Sequence, residues 1–131
     1  MNHKILLILL LILFNSCEKF ATKSEPQQVI IGRWQTIEVG NGSNMERIED
    51  PNGYSEYFED SLKIEYSQDL GEYRKRYWID SLLYEYVYLQ NEQRRFMTGI
   101  YSYTFFDNNK KMKLVIKGPA LYTTTIDRRI K

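Results

Sequence analysis

Two residue types that carry much of enzyme chemistry are almost missing. Among 131 residues there is one histidine, His3, and one cysteine, Cys17. His3 precedes a long apolar run and Cys17 closes it, so everything from Glu18 to Lys131 has neither imidazole nor thiol. That region cannot build a Ser-His-Asp or Cys-His catalytic set, nor a zinc site from histidine or cysteine. The 7 glycines are scattered and form no glycine-rich loop of the kind that cradles phosphate. Excess charge of one sign is also lacking: 18 basic side chains face 17 acidic ones. Nucleic acid and anionic membrane surfaces select for surplus Lys and Arg, so neither is expected as the main partner. What remains for an enzyme is a pair of carboxylates, or a carboxylate with tyrosine or lysine. On strands this rich in acids some pair comes close by chance, and the expectation is a protein with no catalytic residues, no cofactor and no metal.

What is present begins with an address. Ile5 to Phe14 is an uninterrupted apolar run behind Lys4 and is followed by Asn15, Ser16 and Cys17. It is too short for a bilayer core, which needs about 20 apolar residues, but it suits the apolar segment of an export signal. Bulky Phe14, three positions before Cys17, fits poorly with the small-x-small site of plain secretion. Leu13, Ser16 and Cys17 together resemble the lipobox of bacterial lipoproteins. The resemblance implies that residues 1–16 are a signal peptide removed by signal peptidase II. It further implies a diacylglycerol thioether on Cys17 and an acyl chain, such as palmitate, on its new amino group. Each buried methylene adds about 0.8 kcal/mol, so two or three chains on Cys17 would hold the protein firmly to a membrane. The resemblance also favours the outer membrane, because Glu18 is not the aspartate that retains enterobacterial lipoproteins in the inner one; the side it faces, periplasm or cell surface, stays open.

Residues 17–28 are polar and aperiodic after Cys17 and read as a tether, long enough to hold a domain about 35 Å from the lipid at about 3.3 Å per extended residue. Beyond it, residues 29–131 suit one domain with one core. Charge is uneven: from Glu18 to Glu72 acids outnumber bases twelve to five, and from Tyr73 to Lys131 the ratio is reversed. Such a surface either orients a partner or reflects the solvated faces of successive strands.

The domain reads as strand after strand. Val29–Val39 is rich in branched and aromatic residues and is closed by Gly40-Asn41-Gly42. Ser43 with Glu46 has the spacing of a helix-capping box, and Pro51-Asn52-Gly53 would end that helix, so a short helix or lid loop is expected after the first strand. Then Tyr54–Phe58 and Leu62–Tyr66 flank a turn, with Leu62, Ile64 and Tyr66 on one face and Lys63 and Glu65 on the other. Tyr73–Ile79, Leu82–Gln90, Phe96–Phe106, Met112–Lys117 and Leu121–Arg128 continue the alternation. Asp107-Asn108-Asn109-Lys110 is a hairpin signal because asparagine tolerates positive φ.

Eight short antiparallel strands leave no bare edges if they close into a barrel; an open sandwich is the alternative. Gly32-x-Trp34, the Tyr57-Phe58 strand with its acidic turn, the Tyr77-to-Tyr88 hairpin, the Lys111-to-Lys117 strand and Arg128-Arg129-Ile130 together resemble the lipocalin-like domain of Bacteroidota lipoproteins. Asp60-Ser61 departs from it, since such domains usually carry Asp-Gly there. The resemblance implies an all-β, eight-stranded barrel with the tryptophan packed across one end. Trp34, Tyr66, Tyr77, Tyr84, Tyr86, Tyr88, Tyr101 and Tyr103 are then the candidate lining of a cavity for a small apolar or amphipathic ligand. The competing reading is a barrel filled by these rings, acting as an envelope adaptor or inhibitor that grips another protein through surface such as Arg74, Arg76 and Trp78.

Overall fold

The computed structural model describes residues 25–89 and 94–131. The apolar run, Cys17 and the tether up to Ser24 lie outside the described residues, as do residues 90–93. The chain forms a short helix α1 (Pro26–Val29) and the strands β1 (Gly32–Asn41), β2 (Asn44–Arg47), β3 (Gly53–Tyr57), β4 (Leu62–Ser67) and β5 (Gly71–Ile79). It continues as β6 (Leu83–Tyr88), β7 (Arg95–Phe106), β8 (Lys111–Ile116) and β9 (Thr124–Ile130). All pairings are antiparallel, in the order β2-β1-β3-β4-β5-β6-β7-β8-β9, and β9 returns to β1. Eight strands therefore close a lipocalin-like barrel, and β2 pairs with the upper part of β1 on the edge that β3 takes lower down.

The connection after β1 differs from the capping-box expectation. Asn41 pairs with Asn44 across the two-residue loop Gly42-Ser43, and Gly42 has φ 63°. Glycine at the first of two loop positions is the signature of a primed hairpin turn, and that tight turn forces residues 44–47 into β2 rather than a helix. The strands also need Gly40, because a Cβ there would sit 2.0 Å from the Asn44 carbonyl oxygen. The helix lies before the first strand instead, with Pro26 at its start, where a missing N–H costs nothing. Gln27 Nε2 donates to the Ile79 carbonyl at 2.9 Å, so Pro26–Gln28 belongs to the folded domain and not to the tether.

Turn chemistry elsewhere follows the residues. Asp107, Asn108 and Asn109 all take positive φ, between 52° and 59°. Ser61 has φ 67°, the conformation that glycine would adopt without strain. The last strand starts three residues later than its pattern indicated, leaving Leu121 and Tyr122 in an exposed loop.

One end of the barrel is closed and apolar. Ile30, Trp34, Tyr57, Tyr77, Ile79, Leu83, Met112 and Leu114 form a single buried cluster there. Trp34 is 1% exposed, and its indole Nε1 donates to the Ile30 carbonyl at 2.7 Å. Arg129, arriving on β9, lies 4.3 Å over the Trp34 ring and donates to the carbonyls of Ile31 and Val29. Gly32 has φ 118°, and a Cβ on it would come within 2.9 Å of the Arg129 guanidinium. The Gly-x-Trp pattern therefore has a steric reason: the glycine makes room for the cation that covers the tryptophan.

Candidate ligand site at the barrel mouth

Above the apolar end the barrel is filled by charge. Register places Tyr57, Lys63 and Lys75 in one row across β3, β4 and β5. Ser55, Glu65 and Tyr73 form the next row toward the open end, and Glu85 faces inward from β6 opposite Tyr77. Lys63 Nζ contacts Glu65 Oε1 at 2.7 Å and also binds Glu85 Oε1. Lys75 Nζ reaches the same two carboxylates at 3.1 and 3.3 Å. Lys63 is 5% exposed and Glu85 1%. Buried charges persist only when paired, and these four complete one another.

Titration follows from this packing. Burial pulls the Lys63 ammonium down, but Glu85, Tyr57 and Glu65 outweigh it and hold the group well above its ordinary value. Burial would raise Glu65; Lys63 and Lys75 more than offset that and keep its carboxyl below the usual range. Burial pushes the Tyr57 phenol well up, and carries that of Tyr101 to about 12 with help from Glu85. Asp127, on β9 opposite Thr36, is raised by burial, with the Thr36 hydroxyl and Lys63 opposing. Its Oδ1 has no hydrogen-bond partner.

On this charged floor, at the mouth, lies a cavity of about 410 Å³. Thr36, Ser55, Glu65 and Ser67 give it polar walls, and Ile48, Pro51, Leu70 and Tyr73 give it an apolar rim. Leu70, on the β4–β5 turn, is 89% exposed. Among the described residues no group of three or more His, Cys, Asp or Glu is arranged to hold a metal ion.

The tyrosine set expected to line a cavity is divided by the fold. Trp34 and Tyr77 belong to the buried apolar end, where Tyr77 meets Tyr57 edge-on at 4.9 Å. Tyr101 and Tyr103 face inward and pack against that cluster, and Tyr103 donates its hydroxyl proton to the Asp80 carbonyl. Tyr84, Tyr86 and Tyr88 lie on the outer face, because Leu83 and Glu85 take the inward positions of β6. There Trp78 stacks on Tyr84 at 4.3 Å, and Arg95 sits 5.1 Å over Tyr86. Tyr66, stacked on Tyr54 at 5.3 Å, is the member of the set that borders the mouth cavity.

Strand β4 is inverted relative to its apparent amphipathicity. Leu62, Ile64 and Tyr66 face outward, while Lys63 and Glu65 face the interior. The signal that could have revealed this is Lys75, a lone cation sharing a face with Tyr73, Tyr77 and Ile79. An inward lysine demands inward carboxylates on neighbouring strands, and Glu65 and Glu85 supply them. No protein-family model matches this chain, and no curated protein matches it at a significant level.

Proposed function

We propose that this protein is an exported lipoprotein of the lipocalin-like type that binds a small amphipathic molecule at its barrel mouth and catalyses no reaction. The observation that carries the binding reading is the cavity of about 410 Å³ that opens above a filled interior. A polar wall below an apolar rim suits a molecule with a small polar head and a short hydrocarbon part. The anchor reading is supported by the lipobox-like sequence from Leu13 to Cys17, where a lipid would occupy an otherwise unpaired thiol. The proposed residence is the outer membrane of the cell envelope, with the domain facing the periplasm or the cell surface.

Native mass spectrometry of the protein released from cell envelopes tests both parts. An acylated Cys17 and a bound small-molecule mass are expected; a clean unliganded mass across several preparations would remove the binding reading. Cys17→Ser should release the protein from envelope fractions after high-salt washing, and retention would remove the anchor reading. A second reading, an adaptor for another envelope protein, is favoured by the outer row of Trp78, Tyr84, Tyr86 and Tyr88 with Arg95 beside it. Stacked aromatics with an arginine are common anchors in protein interfaces. Cross-links to a partner in intact cells that vanish in Trp78→Ala would favour that reading.

A further inference from the structure

Among the described residues, the ionisable groups inside the barrel do not balance. Lys63 and Lys75 stand against Glu65, Glu85 and Asp127, three carboxylates for two ammonium groups. The remaining inward cation among the described residues, Arg129, is at the closed end, where the carbonyls of Val29 and Ile31 take its guanidinium. Asp127 is 5% exposed with Oδ1 unpartnered, and Thr36, its register partner, lines the mouth cavity. Both lysines bind Glu65 through Oε1, so Oε2 stays outside these pairs. Glu65 is also the one charged side chain among the cavity's lining residues.

These facts discriminate between head groups. A carboxylate head would bring a further negative charge beside an ionised Glu65 in a half-buried site, where like charges repel strongly. An alcohol head would be tolerated by the Thr36, Ser55 and Ser67 hydroxyls but would leave the charge uneven. An ammonium head evens the count and offers three donors to Glu65 Oε2 and the neighbouring hydroxyls. We propose that the mouth cavity selects a primary-amine amphiphile, with its ammonium on Glu65 and its hydrocarbon part against Ile48, Leu70 and Tyr73. This inference rests on the mouth being a ligand site, and the experiment separates the two.

The full-length protein in phosphatidylcholine nanodiscs is titrated with hexylamine, 1-hexanol and hexanoate, with empty nanodiscs as control, and thermal unfolding is followed by tryptophan fluorescence. Hexylamine is expected to bind about tenfold more tightly than hexanol, as a charge-assisted hydrogen bond predicts, with hexanoate the weakest of the three. Glu65→Gln should remove the preference for the amine, and Asp127→Asn should reduce it. If Glu65→Gln fails to fold, the three-ligand comparison on the unaltered protein still decides. Equal binding of amine and alcohol, or tighter binding of hexanoate, overturns the amine proposal while leaving the mouth site standing. No shift with any of the three overturns the mouth site and the proposal together.

Discussion

At the closed end of the barrel a tryptophan is sealed under an arginine and a short helix; at the open end a leucine on a turn is almost wholly exposed above a cavity. Between the two lies a layer of buried lysines and glutamates. The closed end gains stability from apolar burial, about 25 cal/mol per Å² removed from water, and from contacts that need no solvent. The open half spends burial on charges whose desolvation roughly cancels their attraction. A fold gains little stability from such a layer, which agrees with the proposed role of the layer as the floor of a ligand site.

The difference can be broken from the closed end first. Trp34→Ala removes the ring under Arg129 and its bond to Ile30, and a loss of about 3–5 kcal/mol is expected in denaturant unfolding. Lys63→Met in the charged layer leaves Glu85 with the longer contact to Lys75 at 3.3 Å and the Tyr57 hydroxyl at 3.4 Å, and about 3 kcal/mol should be lost.

Two neutralising variants should then move in opposite directions with pH. Glu65 has its folded pKa lowered, so its contribution is present above the unfolded value and is lost as pH falls through the folded one. Glu65→Gln should therefore be less stable near neutrality, with the deficit closing in acid. Asp127 has its folded pKa raised above the usual 3.8, so its ionisation works against the fold as pH rises. Asp127→Asn should be more stable near neutrality, and the gain should disappear in acid; melting temperatures from acid to neutral pH check both signs.

Smaller effects sharpen the comparison. Ser61→Gly relieves a positive φ in the closed-end turn between β3 and β4 and should add about 0.5–1 kcal/mol. Leu70→Ala at the mouth should change stability by less than about 0.5 kcal/mol, because so exposed a side chain has little packing to lose. A large loss at Leu70 would mean that the open end is structural after all.

Much of the barrel was legible beforehand. Period-two alternation, the asparagine turn at residues 107–110 and the packing role of Trp34 all carried over into the structure. Ser43–Glu46 misled because a capping box and a glycine hairpin compete for the same residues, and pairing with β1 settled the contest. The site was harder to read. Tyr84, Tyr86 and Tyr88 look like the buried set of β6, but tyrosines can shelter one another on an outer face, as Trp78 and Arg95 help them to do.

The order of residues alone determined where strands and turns fall, since alternation and turn chemistry are local. It also excluded imidazole and thiol chemistry beyond Cys17. Only the tertiary structure decided which face of each strand points inward. Lys63 and Glu65 look solvated until Lys75 and Glu85 arrive from neighbouring strands, because the stability of a buried charge depends on partners distant in sequence.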